Sequence, residues 1–329
     1  MRYKHFRNAN IDVSAIAVGC WPAGDCGYGK VDDKEVIKGI HAMFDHGVNM
    51  IDTAPDYGVG HSEIVVGQAL KEVDRSKIIL ATKCGASALT MKAIRTGRGH
   101  CRDGRYENVL YECEQSLRRM GVDYIDIMFV HWPDTDTPFS ETMEAMKTLK
   151  QQGKIRFVGL SNFDEKQILE CEKVVKVDVI QPPYSMAVRS SEHILKWAVP
   201  RGVDTCTYGS LGAGILTGAF REAPTFENAR DPRNFFYPFF REPSFSKVMK
   251  VVEVMDKIAA DMGKTTAQVA VNWQTQKPFV STALTGVRNV AEADELCAAF
   301  DWQLTDEQIK VIDDAIDTYL DFDGADRRR

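Results

Sequence analysis

Short apolar segments alternate with segments of helical periodicity along almost the whole sequence. The apolar runs predict eight strands, at residues 15–21, 48–52, 77–83, 124–131, 155–162, 177–181, 203–209 and 280–286. Helices are predicted between and after them, at residues 32–47, 62–73, 107–121, 137–154, 164–174, 191–200, 246–262, 265–276, 290–299 and 305–316. Continuous apolar strands that alternate with helices indicate a parallel sheet covered by helices. Eight such units predict a closed (β/α)₈ barrel, or TIM barrel, with long loops at its C-terminal face.

An open, doubly wound sheet is the alternative fold, but no predicted strand is followed by a Gly-x-Gly-x-x-Gly turn. The length of 329 residues is compatible with one domain, because α/β barrels commonly exceed about 250 residues. We therefore expect a single barrel domain over residues 1–329, with residues 320–329 as a flexible tail.

Charge and composition narrow the function classes. The net charge of −6 disfavours binding to nucleic acid or to an anionic membrane. No apolar run reaches the length of about 18 residues that a membrane span needs, and the first residues, "MRYKHFRNANIDVS", lack the apolar core of a signal peptide. The eight cysteines include no Cys-x-x-Cys pair, so we expect a reduced cytoplasmic protein without disulfides or a metal site.

Three consecutive predicted strands end in residues of acid–base chemistry. These residues are Asp52, Lys83 and His131, and Tyr57 lies in the loop after Asp52. A lone lysine or histidine at a strand end is usually structural, but neighbouring strands of a barrel bring all four side chains to one mouth. We expect an Asp–Lys pair beside Tyr57 to lower the free energy of the phenolate, and a neutral imidazole to orient a carbonyl oxygen.

Six further sequence motifs occur in a recognisable order. They are "MIDTAPDYGVGHSE", "ATKCG", "RRMGVDYIDIMFVHWPD", "GKIRFVGLSNF", "VIQPPYS" and "YGSLGAGILTG". With these motifs the chain resembles the aldo-keto reductases over essentially its whole length, and within them the bacterial branch of inositol-cluster and general-stress reductases. The resemblance implies NAD(P)H-dependent reduction of an aldehyde or ketone, with sugars and polyols among the candidate substrates. The expected partner is therefore a small carbonyl or alcohol, bound by a monomer or a homo-oligomer.

The resemblance also implies residue roles. Tyr57 is the general acid, Asp52 and Lys83 tune it, and His131 positions the carbonyl. Cofactor contacts are implied for Asp52, Ser161, Asn162, Gln181, Tyr208, Ser210, Leu211, Gly212, Gly214, Leu216, Gly218, Gly286, Arg288, Glu292 and Glu295. A substrate pocket is implied for Trp21, Tyr28, Tyr57, His131 and Trp132. Within the first set, Ser161, Asn162 and Gln181 hold the carboxamide of the nicotinamide, and Tyr208 stacks on its ring.

The adenosine end departs from the family pattern. Arg288 stands where the family binds the 2′-phosphate of NADPH, so NADP is the expected cofactor. Glu292 could instead repel that phosphate or accept a ribose hydroxyl, which leaves NAD open. Further departures are Ala219 in place of a lysine, Leu296 in place of an asparagine and Thr285 in place of a proline.

Two long loops follow predicted strands on the face where barrel active sites are built. Residues 84–106 carry five lysines and arginines, namely Lys92, Arg95, Arg98, Arg102 and Arg105, which form either a lid or a solvated charge run. Residues 219–245 contain "RNFFYPFFREPSF" (233–245), whose aromatic rings could cover the cofactor, the substrate or a second subunit. This segment is predicted to close over bound nucleotide, with packing against the barrel helices as the alternative.

Two other functions compete with a reductase. A nucleotide-sensing binding protein of the potassium-channel beta-subunit type would bind cofactor with little turnover. A barrel lyase or isomerase would use Lys83 to form a Schiff base. Turnover of a simple aldehyde separates the first from a reductase, and borohydride trapping identifies the second.

Overall fold

The computed structural model describes residues 1–7, 10–25, 31–228 and 231–321. Within these ranges, eight parallel strands close into a barrel in the order in which they follow along the chain, and the last of them pairs with the first. The predicted TIM barrel is therefore confirmed, although the strands are shorter than the apolar runs. The strands in chain order are β1 (Tyr3–Phe6), β2 (Ile11–Ser14), β3 (Ile16–Gly19), β4 (Met50–Asp52), β5 (Ile79–Cys84), β6 (Ala86–Ser87), β7 (Cys101–Arg102), β8 (Ile125–Val130), β9 (Ile155–Ser161), β10 (Val179–Gln181), β11 (Asp204–Thr207) and β12 (Thr282–Thr285).

Helices cover the outside of the barrel and bury their apolar faces against it. They are α1 (Asp33–Asp45), α2 (His61–Leu70), α3 (Met91–Thr96), α4 (Tyr106–Met120), α5 (Phe139–Gln151), α6 (Glu165–Cys171), α7 (Glu192–Ala198), α8 (Ser244–Met262), α9 (Thr266–Gln276), α10 (Val290–Cys297) and α11 (Asp306–Tyr319). Thr305 caps α11 in a capping box. Thr137 does not cap α5, because Pro138 occupies the N-cap position and the Thr137 hydroxyl donates to Asp134 instead.

An N-terminal hairpin that the sequence analysis did not predict closes the bottom of the barrel. Strands β1 and β2 are antiparallel. Phe6 and Val13 of this hairpin are fully buried and belong to the same apolar cluster as Met50 and Ile79, which lie where β4 and β5 begin. The N-terminal end of the barrel is therefore filled by side chains, and the open end is the C-terminal one.

The sequence analysis expects no disulfide, no metal site and no membrane span. The seven cysteines among the described residues are free and buried. The described residues contain no group of three or more histidines, cysteines and carboxylates that could hold a metal ion. Among them, no helix combines the length and the apolar character that a bilayer crossing requires.

The contact between α2 and α4 gives the first prediction. Gly67 lies in α2, and a Cβ atom there would lie 2.6 Å from the carbonyl oxygen of Met120. Alanine normally stabilises a helix by about 1 kcal/mol relative to glycine. Here we expect Gly67→Ala to lower the free energy of unfolding by about 1–3 kcal/mol, because backbone must move to admit the methyl group. Urea unfolding monitored by circular dichroism measures the change.

Gly99→Ala is the matched control for this substitution. A Cβ at Gly99 would have no atom within 4 Å, so we expect a change within about 0.5 kcal/mol. A Gly67→Ala variant as stable as the wild type would contradict the close approach of α2 to α4.

Candidate active site

A buried ion pair lies where β4 and β5 end. Asp52 is the last residue of β4, Lys83 lies near the end of β5, and each side chain is 1% exposed. The Lys83 ammonium donates to Asp52 Oδ1 at 2.5 Å and to the Thr53 carbonyl at 2.8 Å. Gln181, from the end of β10, donates its Nε2 to Asp52 Oδ2 at 2.9 Å. Both charges are therefore satisfied within the protein, which a buried ion pair requires.

Tyr57 lies against this pair in the loop that follows β4. Lys83 Nζ lies 4.8 Å from the centroid of the Tyr57 ring, and the Trp21 ring meets it edge-on at a centroid distance of 4.8 Å. Burial, and then the negative charges of Asp52 and Asp56, raise the pKa of the Tyr57 hydroxyl well above its usual value. The expected stabilisation of the phenolate is therefore wrong for this geometry. Lys83 faces the ring and its charge is offset by Asp52, so Tyr57 is a protonated phenol.

His131 follows β8 and faces Tyr57 across the mouth of the barrel. The two ring centroids are 6.1 Å apart with an interplanar angle of 80°. Burial, and then the positive charges of Lys83 and His100, hold the pKa of His131 well below its ordinary value. The imidazole is therefore neutral at pH 7, as the sequence analysis expects, and it can take part in a hydrogen bond with a carbonyl oxygen without carrying charge.

A network of amide and hydroxyl groups continues from His131. Asn162 Nδ2 donates to the His131 carbonyl and to Ser161 Oγ, both at 3.0 Å. The Ser161 hydroxyl donates to the Gln181 carbonyl at 2.9 Å, and the Tyr208 hydroxyl donates to Asn162 Oδ1 at 2.8 Å. Asn162 has a φ of 65°, which a non-glycine residue seldom adopts outside functional sites. The network fixes these side chains beside the mouth.

One cavity of about 750 Å³ joins the mouth of the barrel to the loops after β11 and β12. This volume lies in the range of about 300–1,000 Å³ that is usual for ligand and cofactor sites. The wall includes most of the site residues predicted from the sequence, namely Trp21, Asp52, Tyr57, His131, Trp132, Ser161, Asn162, Gln181, Tyr208, Ser210, Leu211, Gly214, Gly286, Arg288, Glu292 and Glu295.

The model of the aldo/keto reductase family matches residues 15–317. The chain belongs to this family. It is 38% identical to the aldo-keto reductase YhdN of Bacillus subtilis (strain 168), over 97% of this chain and 95% of that protein. It is 30% identical to the NADH-specific methylglyoxal reductase of Escherichia coli (strain K12), over 90% and 93% of the two chains. Among solved structures, the glycerol dehydrogenase AKR11B4 from Gluconobacter oxydans has a TM-score of 0.84 at 35% identity, with 94% of each chain covered.

Some predicted contacts lie off the cavity wall of this family member. Leu216 is fully buried in the hydrophobic core, so its side chain does not face the cavity. Gly212 and Gly218 have φ values of 55° and 79° and shape the turns after β11, so their predicted cofactor contacts stay predictions for backbone atoms. Lys83 lies behind Tyr57, and Tyr28 is outside the described residues.

The sequence analysis also missed residues of the wall. Asp56 immediately precedes Tyr57 and lines the cavity, as do Gly19, Pro22 and Ala267. The position of Asp56 inside a quoted family motif was the one signal that could have indicated it. The orientation of a loop side chain is set by tertiary contacts, which local sequence does not reveal.

The basic loop, residues 84–106, is more ordered than the sequence suggests. It contains the hairpin of β6 and β7 and the short helix α3. Lys92 and Arg105 pair with Asp136 and Asp103 at 3.2 and 2.7 Å, respectively. Arg102 lies over the Trp132 ring at 5.4 Å and donates to the Pro133 carbonyl. The positive charges of Lys92, Arg102 and Arg105 are therefore directed toward other groups of the protein and not into the cavity.

The aromatic loop, residues 233–245, divides into two parts. Phe239 and Phe240 are buried in the core, which agrees with the alternative of packing against the barrel. Phe236 and Tyr237 line the cavity, which agrees with a position next to bound nucleotide. Closure of the whole loop is therefore not required, and movement is expected only in its first half.

Proposed function

We propose that this family member is an NAD(P)H-dependent reductase of small aldehydes or ketones, acting as a single barrel domain in the cytoplasm. The observation that carries the proposal is the convergence of a protonated Tyr57 and a neutral His131 on one cavity. Both groups reach the same mouth, and the amide and hydroxyl network lies next to them.

The donor set of the cavity fits a nicotinamide dinucleotide. Ser161, Asn162 and Gln181 offer hydroxyl and amide groups near Tyr57, which suit a carboxamide, and Tyr208 offers an aromatic face. Arg288, at the other end of the wall, suits a phosphate. When bound, a reduced nicotinamide supplies a hydride to the carbonyl carbon.

Residues of the protein then orient the carbonyl and supply the proton. His131 orients the carbonyl oxygen toward the Tyr57 hydroxyl. Tyr57 gives its proton to the oxygen as negative charge develops there, and proton transfer is favourable because an alkoxide is a stronger base than a phenolate. Trp21 and Trp132 narrow the mouth around the reacting groups and limit the access of water. The Asp52–Lys83 pair positions Tyr57 from behind.

Lyase or isomerase chemistry through Lys83 has less support. Its amine is 1% exposed and donates to two acceptors, so it is not available to attack a carbonyl. Borohydride should trap no lysine adduct.

The test of the proposed function is an assay of cofactor absorbance with purified protein. The panel contains aryl aldehydes, sugars, inososes and phosphorylated carbonyls, each with NADPH and with NADH. Oxidation of either nucleotide that depends on a carbonyl supports the reductase. Tight nucleotide binding with no turnover of any member of the panel would instead support the channel-subunit type of function.

Arg288 is proposed to favour NADPH over NADH. Its Nε and Nη2 donate to Glu292 Oε1 at 2.9 and 2.6 Å, and its side chain is 52% exposed. An exposed ion pair contributes little, about 0–1 kcal/mol, so a 2′-phosphate can replace Glu292 as the partner. Arg288→Ala should therefore raise the Kd for NADPH about tenfold or more and leave that for NADH nearly unchanged.

Glu292→Gln is the matched variant for the cofactor prediction. It removes the competing charge, so NADPH should bind more tightly than to the wild type. Fluorescence titration with both nucleotides measures these constants. Equal losses for NADPH and NADH in Arg288→Ala, or a wild type that prefers NADH, would show that Arg288 does not set the preference.

The two parts of the aromatic loop should respond differently to nucleotide. We expect NADPH to slow amide hydrogen exchange in residues 232–237 more than in residues 92–105, because only the former segment lines the cavity near the turns after β11. Phe239 and Phe240 should exchange slowly with or without nucleotide, since both are buried. Hydrogen exchange followed by mass spectrometry measures this, and unchanged exchange in 232–237 would exclude contact with nucleotide.

A further inference from the structure

Asp56 is an acidic group at the substrate end of the cavity. It lies in the loop between β4 and α2, directly before Tyr57, and lines the same wall as Trp21 and Trp132. Its side chain is 27% exposed, and burial raises the pKa of its carboxyl above the ordinary value. The carboxylate therefore faces the space where a substrate must lie to reach Tyr57.

The Asp56 carboxylate lacks the donors that a partly buried carboxylate normally has. His100, from the basic loop, places Nε2 at 3.6 Å from Asp56 Oδ1, which is longer than a hydrogen bond. Within the part of the chain that the structure describes, no other side chain or amide donates to it. Lys83 is engaged by Asp52 and Thr53. The two carboxylate oxygens are thus available to accept hydrogen bonds from a molecule in the cavity.

The cations on the cavity wall are bound to other acids. Arg233 forms a two-point ion pair with Asp231, at 3.0 Å from Nε and 2.6 Å from Nη2. Arg288 pairs with Glu292 at the adenosine end. Among the described residues of the wall, both arginines are therefore paired with acids, and Asp56 is a carboxylate with no such partner within hydrogen-bond distance.

We propose that Asp56 determines substrate choice, by accepting hydrogen bonds from hydroxyl groups next to the reacting carbonyl. Neutral hydroxyaldehydes and hydroxyketones are favoured, since their hydroxyl donors satisfy the carboxylate. Carbonyl compounds with a carboxylate or phosphate group are disfavoured by charge repulsion at short range. This inference rests on the proposed reductase function and names the substrate class of the same site.

The test compares three aldehydes on the full-length protein. Glyceraldehyde carries two hydroxyls, propanal has the same carbon chain without them, and glyoxylate carries a carboxylate. A charge-assisted hydrogen bond corresponds to a change of about tenfold or more in kcat/KM. We expect Asp56→Ala to lower the glyceraldehyde-to-propanal ratio of kcat/KM by about that factor, mainly through KM. Propanal measures any effect that acts through Tyr57, whose pKa Asp56 also raises, so that effect cancels in the ratio, and glyoxylate should improve relative to propanal.

Two further variants make the comparison specific. Asp56→Asn keeps an acceptor without the charge, so it should retain part of the glyceraldehyde preference and also accept glyoxylate better. Asp33→Ala removes another exposed carboxylate that pairs with a histidine, His61, at 3.0 Å but does not line the cavity. It should leave the ratio unchanged.

Three results would overturn the inference. An unchanged ratio in Asp56→Ala would show that Asp56 does not contact substrate. An equal loss for glyceraldehyde and propanal would show that it acts through Tyr57 or through the fold. A wild type that reduces none of the aldehydes with either nucleotide would overturn the proposed function itself, and this inference with it.

Discussion

Replacing Tyr57 with phenylalanine is expected to lower kcat for carbonyl reduction by about two to four orders of magnitude, the usual contribution of a positioned general acid. The hydroxyl is protonated because burial, Asp52 and Asp56 all raise its pKa. The ring contacts with Trp21 and Lys83 survive the substitution, so the fold and the Kd for nucleotide should barely change. Steady-state kinetics and nucleotide titration on the same preparation measure both quantities.

Tyr106→Phe is the matched control for this experiment. Its hydroxyl donates to Thr148 at 3.0 Å, on the helical side of the barrel, so turnover should stay at the wild-type level. Turnover by Tyr57→Phe at a similar level would remove Tyr57 from the mechanism. A loss of nucleotide binding together with turnover would show that the hydroxyl contributes to cofactor binding instead.

Removal of Asp52 should have the largest effect on stability. Asp52→Ala leaves the Lys83 ammonium buried with the Thr53 carbonyl as its remaining acceptor among the described residues, and it removes the oxygen that accepts from Gln181. Breaking one side of a buried ion pair costs about 3–5 kcal/mol, because the remaining charge is uncompensated. Urea unfolding should therefore show a fall of this size in the free energy of unfolding, and catalysis should fall as Tyr57 loses its support.

A double variant separates stability from catalysis. Asp52→Leu combined with Lys83→Met replaces both charges with apolar groups, and such replacements are often neutral for stability. We expect the double variant to regain most of the stability and little of the activity. Glu35→Ala removes an exposed pair with Lys38 and should cost less than about 1 kcal/mol. If Asp52→Ala were no more destabilising than Glu35→Ala, the ion pair would not be buried in solution.

The barrel could be predicted from the sequence because its signals are local and repeated. Several strand cores, such as residues 127–130, are continuous apolar runs, and a helix start such as Thr305 carries its own capping chemistry. The hairpin at the bottom was missed because β1 and β2 are four residues long. Their pairing depends on the barrel interior against which Phe6 and Val13 pack.

The sequence could predict which residues meet in the candidate site, but not how their side chains are oriented. Strand order brings Asp52, Lys83 and His131 together wherever their side chains point. The position of Lys83 over the ring of Tyr57 depends on packing that no local pattern records. The burial of the Tyr57 hydroxyl, with Asp52 and Asp56 nearby, likewise follows from packing, and it raises the pKa that we expected Lys83 to lower. The contact between His100 and Asp56 joins two loops that are distant in sequence, and no sequence motif indicates it.

The hairpin at the bottom of the barrel also has a consequence for how the chain folds during synthesis. Arg2 bonds to Asn272 across a separation of 270 residues, and Ser14 accepts a hydrogen bond from Thr282 across 268. At about 5–20 residues per second, the ribosome needs roughly 13–54 seconds after making the hairpin to make these partners. Throughout that interval Phe6 and Val13 lack the finished barrel interior, so the nascent chain exposes an apolar segment to which chaperones can bind.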